Sequence, residues 1–225
     1  ISTTHDLRCG RGPKVSATPP MLANHSCGTW LSDGTQLFGP EPNQMRPDWP
    51  QDVTPWTPVS QKVTGNGQPE SPHQITTKVT NGRLLVVQRD RYVNGAQKST
   101  TEIEVTNRGV LDETARLYAA GDCLHTDEET GLQGTYGYGW RSAGDILTGA
   151  TGCSDREFSG ATLTWSPTGL GPSFTTNTPE VISRAISGHG PFDEKCLCAV
   201  RIDDGAGLSW PLSLAPGETK TVEYD

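Results

Sequence analysis

The stretch Ile75-Thr-Thr-Lys-Val-Thr-Asn-Gly-Arg-Leu-Leu-Val-Val-Gln-Arg-Asp-Arg-Tyr-Val-Asn-Gly-Ala-Gln-Lys-Ser-Thr-Thr-Glu-Ile-Glu-Val-Thr-Asn-Arg-Gly109 decides the fold. Its β-branched runs, Ile75 to Thr80, Arg83 to Tyr92 and Lys98 to Thr106, are separated by Asn81-Gly82, Asn94-Gly95 and Asn107-Arg108-Gly109. Asn-Gly pairs adopt the positive φ angles that tight hairpins require, so these runs and the following Glu113 to Ala120 read as an antiparallel meander. In Thr101-Glu102-Ile103-Glu104-Val105 the odd positions turn to a core and the glutamates to water, as a half-buried strand demands.

Working outward, Ala115, Leu117 and Ala119 alternate in the same way, and so do Leu208, Trp210, Leu212 and Leu214. Pro211 cannot donate to a ladder, which places that strand at an edge or gives it a bulge there. The turn Ala215-Pro216-Gly217-Glu218 leads to a closing strand, Thr219 to Tyr224, with Val222 and Tyr224 on one side. Short strands are expected at Cys27 to Leu31, Gln36 to Phe38 and Ala161 to Trp165. Glu180 to Ser187 reads as a further strand, with a short helix over Pro179 to Ile186 or Asp145 to Leu147 as the alternative. The expectation is an all-β antiparallel sandwich occupying residues 1–225 as one domain, with 1–72 as a loop-rich wrap and 73–225 forming the main sheets.

Composition narrows the class. The chain has 225 residues, 32% hydrophobic and 7% aromatic, with 26 Gly and 17 Pro. That disfavours a helical bundle. No run approaches the roughly 18 to 20 apolar residues of a membrane-spanning helix; the most apolar stretch, Leu84 to Val87, is strand-sized. A net charge of -8 without any Lys/Arg cluster argues against nucleic acid and anionic lipid as partners. Ile1 opens no export signal, so the chain reads either as a form from which one has been removed or as a piece of a longer protein.

The six cysteines, Cys9, Cys27, Cys123, Cys153, Cys196 and Cys198, match neither a CxxC redox pair nor a zinc knuckle. Disulfides in an oxidising, extracellular compartment account for them better. Local bridges, Cys9 with Cys27 and Cys123 with Cys153, are one pairing and a crossed arrangement another. A direct Cys196–Cys198 bond is disfavoured by the single residue between them. A zinc site from Cys196, Cys198 and His189 lacks an obvious fourth ligand.

The series Ala115-Arg-Leu-Tyr-Ala-Ala-Gly-Asp-Cys123, Gly137-Tyr-Gly139, Cys196-Leu-Cys198 and Asp204-Gly-Ala-Gly-Leu-Ser-Trp210 resembles an uncharacterised extracellular domain that recurs in actinobacterial secreted proteins. Ile1-Ser-Thr-Thr-His-Asp-Leu-Arg-Cys9 and Cys27-Gly-Thr29 extend that resemblance over nearly the whole chain. It implies secretion and a β architecture and brings no activity with it. The run Val86-Val-Gln-Arg-Asp-Arg-Tyr92 is similar to one in mutarotase-like supersandwich domains, which implies a sugar ligand; the catalytic His and Glu of that superfamily have no assignable positions here.

No G-x-S-x-G elbow, H-E-x-x-H motif or phosphate-cradling loop is present. The five histidines, His5, His25, His73, His125 and His189, stand beside loop-forming residues and read as solvated. Asp122, Asp127, Glu128 and Glu129 gather oxygens of the kind Ca²⁺ takes, with Asp203 or Asp204 able to join from another strand; a solvated acidic loop is the plainer reading. Carboxylate pairs for glycoside hydrolysis could come from Asp90, Glu102, Glu104 or Asp122. Trp30, Trp49, Trp56, Tyr136, Tyr138 and Trp140 lie in Gly- and Pro-rich surroundings, where rings can serve as platforms for sugar faces or a protein partner. Trp165 and Trp210 read as core. The sequence therefore points to a secreted, non-catalytic binding module with a glycan ligand favoured, part of a larger extracellular or cell-surface protein. A carbohydrate-active enzyme using a carboxylate pair and a structural subunit of a secreted assembly are the alternatives.

Overall fold

The computed structural model describes residues 21–40, 50–126, 133–134, 136–141, 151–154, 162–168, 172–198 and 200–225. In chain order the strands are β1 (Met21–Ser32), β2 (Leu37–Gly39), β3 (Thr54–Pro55), β4 (Thr57–Thr64), β5 (His73–Thr80), β6 (Leu84–Tyr92), β7 (Ser99–Asn107) and β8 (Glu113–Thr126). There follow β9 (Gln133–Gly134), β10 (Tyr136–Arg141), β11 (Thr151–Ser154), β12 (Thr162–Trp165), β13 (Ser173–Asn177), helix α1 (Pro179–Ser187), β14 (Arg201–Asp203), β15 (Gly205–Leu214) and β16 (Thr219–Tyr224). They form a five-stranded sheet ordered β16-β7-β6-β5-β4, a seven-stranded sheet ordered β13-β15-β8-β1-β2-β3 with β9 on β8, and a four-stranded sheet ordered β12-β11-β10-β14. The result is an all-β sandwich, as the alternation predicts.

Three of the four runs of the expected meander, β5, β6 and β7, form the five-stranded sheet together with β4 and β16; the fourth, β8, does not pair with β7 but crosses to the seven-stranded sheet, between β15 and β1. Val79 lies opposite Val86 and Val86 opposite Val105, an apolar row over the three central strands, while Ile103 and Val222 form a second apolar pair two residues along. These residues meet Leu31, Leu117, Ala119, Leu208, Trp210 and Leu212 of the seven-stranded sheet in one core. Burying each Val, Leu or Ile there contributes roughly 1.5 to 3 kcal/mol. Val86 is wholly buried, and a charged residue in its place would break the row. On the other face, Arg89 holds Glu102 at 2.6 Å and Glu104 at 2.9 Å across the β6–β7 pair.

Three other expectations change. Residues 180–187 are helix rather than strand, because Pro179 starts the helix and Ile182 and Ile186 fall on one face at a spacing of four. That face packs on Trp30, Tyr118, Ala120 and Phe192 outside the seven-stranded sheet. The first 72 residues are more than a wrap: β1 is an interior strand between β8 and β2, and β4 is an edge strand of the meander. Pro211 sits on an interior strand, yet β13 pairs with β15 only up to Ser209, so the ladder on that side has ended before Pro211. Asp145 to Leu147 lies outside the described residues.

Close packing of α1 and its following segment explains the glycines of Asp204-Gly-Ala-Gly-Leu-Ser-Trp210. A Cβ on Gly207 would stand 2.8 Å from the Phe192 ring and 2.9 Å from Ala120 Cβ, and one on Gly205 would stand 2.8 Å from the Gly121 carbonyl. The Cys123–Cys153 bridge, expected from sequence, ties β8 to β11 with Cα atoms 6.4 Å apart. The Cys196–Cys198 bond, disfavoured at the sequence level, is formed, with Cα atoms 5.1 Å apart. Cys27 is also disulfide-bonded, whereas Cys9 lies outside the described residues. No helix among the described residues is long and apolar enough to cross a membrane.

Candidate functional site

Where α1 ends, no other described element continues its cover over the outer face of the seven-stranded sheet. Strand alternation puts Ser32 beyond Trp30 and Arg116 beyond Tyr118 on that face, with Ser32 and Pro211 both opposite Arg116, and Thr114 opposite Ser213. The turn after α1 brings His189 over the same row, and Lys220 closes one side. Together they line an open groove of about 570 Å³.

Its centre is a Ser–His contact. Ser32 Oγ lies 2.6 Å from His189 Nδ1 and accepts the Gly34 N–H at 2.9 Å. His189 takes a left-handed backbone, φ 59°, at the position after the helix where glycine is the usual occupant, although glycines stand on both sides of it. The segment is pinned as well as bent: Tyr118 donates its phenol to the Gly190 carbonyl at 2.9 Å, and Phe192 N–H bonds Ser209 Oγ at 3.2 Å. Burial pushes the Tyr118 phenol up to about 12, with nearby Arg116 opposing, so the phenol remains a hydrogen-bond donor at neutral pH.

Asp33 is the carboxylate of the groove lining. Burial works against its charge, but the N–H groups of Gln36 and Thr35, the Thr35 hydroxyl and Arg83 outweigh it and hold the carboxyl below its ordinary pKa. Those contacts run from 2.8 to 2.9 Å. Asp33 is thus occupied in its own turn, and among the described residues no carboxylate bonds the His189 ring. A nucleophilic triad needs that third member. The groove instead presents hydroxyls, an imidazole and two cations beside the apolar Pro211 and Leu212, a surface suited to holding a polar ligand.

The residues expected from sequence lie elsewhere. Trp30 and Trp56 are buried, 4% and 5% exposed, so neither offers a platform. Trp30 packs under α1, and Trp56 against Phe38 with ring centres 5.9 Å apart. Both were misread because Gly- and Pro-rich neighbours signal loops, while short β2 and β3 fold these rings inward. Tyr136, Tyr138 and Trp140 lie along β10, opposite Asp203, Ser154 and Gly152 respectively; their side chains, and Trp49, lie outside the described set. Trp165 and Trp210 are core, as expected.

Asp127, Glu128 and Glu129 of the calcium reading also lie outside the described residues. Asp122 is fully buried, not solvated, and so is Asp204, which immediately precedes Gly205, the β15 residue opposite Asp122. Asp204 and the sulfurs of Cys123 and Cys153 approach within 4.8 Å, but the two sulfurs are bonded to each other and are not thiolate ligands. The zinc reading of Cys196, Cys198 and His189 fails similarly, since the cysteines pair together and His189 meets Ser32.

Of the carboxylates considered for hydrolysis, Glu102 and Glu104 are held by Arg89 outside the meander. Asp90 faces the sandwich interior, where it accepts from Thr101 Oγ1 at 2.9 Å and Gln88 Nε2 at 3.0 Å. Gln88 in turn accepts from Thr29 of the opposite sheet at 2.8 Å. Burial among these groups raises the Asp90 pKa, against the two hydrogen bonds, and burial with the neighbouring Asp90 charge raises that of Tyr224. This chain of bonds joins the two sheets. No protein-family model matches the chain, and no curated protein matches it in sequence.

Proposed function

We propose that the chain is a secreted, non-catalytic binding module whose ligand is a glycan held in the groove between His189 and the Ser32–Arg116–Pro211 row. The observation that carries this reading is the lining: Ser32, Thr114, Ser213, Arg116, His189 and Lys220 offer donors and acceptors at the density of a sugar's hydroxyls. Pro211 and Leu212 add apolar surface for the less polar side of a pyranose ring. The two disulfides, Cys123–Cys153 and Cys196–Cys198, support an oxidising compartment. Membership of a larger extracellular or cell-surface protein fits the same reading.

A glycan array, run beside reducing-sugar and mutarotation assays, tests it. Array binding without turnover, abolished by Arg116→Ala, is the expected result. Turnover would move the chain to the carbohydrate-active enzymes, and silence in every assay would leave a structural subunit.

A further inference from the structure

The two disulfides described here sit in opposite surroundings. Cys123 and Cys153 are both wholly buried, and their bond spans 30 residues. The Cys196–Cys198 bond spans 2 residues, its cysteines are half-buried, and Leu197 between them is 36% exposed. Closing so short a loop removes little freedom from the unfolded chain, so this bond contributes little as a staple.

Nor is it needed to hold its own segment. Main-chain bonds to β13 hold it before the bridge and between the cysteines: Glu194 N–H to the Phe174 carbonyl at 2.9 Å, Thr176 N–H to the Lys195 carbonyl at 3.0 Å, and Leu197 N–H to the Thr176 carbonyl at 3.1 Å. Thr175 Oγ1 adds a bond to Asp193 at 3.1 Å. Opening the S–S bond leaves this scaffold in place. The surroundings suit exchange. Two exposed apolar residues stand at the pair, Leu197 between the cysteines and Val200 two positions beyond, while the Lys195 ammonium lies 3.7 Å from Asp193. Accessible disulfides are the ones that exchange.

We propose that Cys196–Cys198 is a thiol–disulfide exchange site that accepts two electrons from a dithiol borne on an apolar segment of another protein chain. One partner thiolate attacks Cys198 Sγ; a new S–S bond forms and the electron pair of the old one leaves on Cys196 Sγ. The second partner thiolate attacks its own sulfur in the mixed disulfide and expels Cys198 as thiolate. The partner ends as a disulfide, Cys196 and Cys198 end reduced, and the two protons given up by the partner's thiols go to the two leaving thiolates.

The test uses the intact chain and a synthetic dithiol peptide with apolar residues beside its cysteines, compared with the same peptide carrying serines there. After acid quench and alkylation, peptide mass mapping should find Cys196 and Cys198 labelled at least about tenfold faster than Cys123 and Cys153, with one peptide disulfide formed per chain. The apolar peptide should react several-fold faster than the polar one, and Leu197→Ser should remove that advantage. The double variant Cys196→Ser/Cys198→Ser should melt within about 2 °C of the parent and oxidise no peptide. Labelling of all four cysteines together, peptide oxidation that persists in the double variant, or a collapse of its melting temperature would each overturn the proposal.

Discussion

Replacing Asn107 by alanine tests how the meander is joined to the second sheet. Asn107 closes β7, is wholly buried, and makes three side-chain bonds: Nδ2 donates to the carbonyls of Leu111 at 2.8 Å and Leu214 at 3.0 Å, and Oδ1 accepts the Gly109 N–H at 2.8 Å. Its backbone also bonds Gly217 and Glu218 in the β15–β16 turn, each at 2.9 Å. Two inter-sheet connections therefore meet at one amide. Alanine leaves the backbone bonds and removes the other three. Leu111 is 73% exposed, so its carbonyl recovers water; Leu214 is wholly buried, and its carbonyl loses the amide donor without gaining water. At about 1 kcal/mol per bond, with the larger penalty for the stranded carbonyl, the loss is about 3 kcal/mol. In a chain of this size that lowers the melting temperature by roughly 6 to 12 °C.

The companion Asn107→Asp separates hydrogen bonding from volume. It keeps the acceptor for Gly109 but turns an oxygen toward two carbonyls, so the folded form holds the carboxyl protonated. Its pKa is raised on folding, and the variant's stability is greatest below the unfolded carboxyl pKa and falls as pH rises through the folded one. Urea unfolding at pH 4 and pH 7, with disulfides intact, measures both. An alanine loss below about 1 kcal/mol, or an aspartate variant equal to the parent at pH 7, would refute the assignment of these bonds.

Asp90→Asn should gain stability relative to the parent as pH rises, since a carboxyl whose pKa is raised on folding contributes fully below its unfolded pKa and loses that contribution as pH climbs through the folded one; parallel denaturation curves from pH 4 to 8 check it. Asp33 has the opposite sign: its lowered pKa makes a contribution present above the unfolded pKa and lost as pH falls through the folded one. Asp33→Ala should therefore cost about 1 to 2 kcal/mol at pH 7 and converge with the parent in acid. Removing the buried bridge with Cys123→Ala/Cys153→Ala should cost about 3 to 4 kcal/mol, from a separation of 30 residues, measured by urea unfolding.

Three strands of the expected meander, β5 to β7, were legible because hairpins are local objects; the fourth run, Glu113 to Ala120, was not, since its crossing to the second sheet is set by pairing with the distant β1 and β15. Asn81-Gly82 and Asn94-Gly95 set the hairpin turns, Gly82 and Gly95 taking φ 96° and 79°, and the register then follows from alternation at Val79, Val86 and Val105. The Cys123–Cys153 bridge and the core roles of Trp165 and Trp210 were legible for similar reasons. The aromatic platforms were not, because whether Trp30 faces solvent depends on α1 and β2 arriving over it from elsewhere in the chain. Residues 180–187 misled for a related reason: eight residues with apolar positions at 181, 182, 185 and 186 satisfy a short strand or two helical turns, and only the sheet face beneath decides between them.

The groove was harder still, since none of its elements is a motif. Among the described residues it exists because two elements stop short: α1 ends before it covers Ser32 and Arg116, and β13 begins at Ser173, opposite Ser209, so it never reaches Pro211. Both stops have sequence causes. Ser187-Gly188-His189-Gly190 cannot continue a helix, and Pro211 cannot extend a ladder on the side that β13 leaves open. The informative residue is His189, because a left-handed position flanked by glycines is where a third glycine would cost least. Its non-glycine occupant carries a backbone penalty on the order of 1 kcal/mol, which the 2.6 Å contact with Ser32 and the pinned turn at Gly190 must offset. His189→Gly should then relieve the backbone and lose the contact together, leaving stability within about 1 kcal/mol of the parent while weakening glycan binding. A variant with unchanged affinity would make His189 a simple helix stop and return the groove to plain surface.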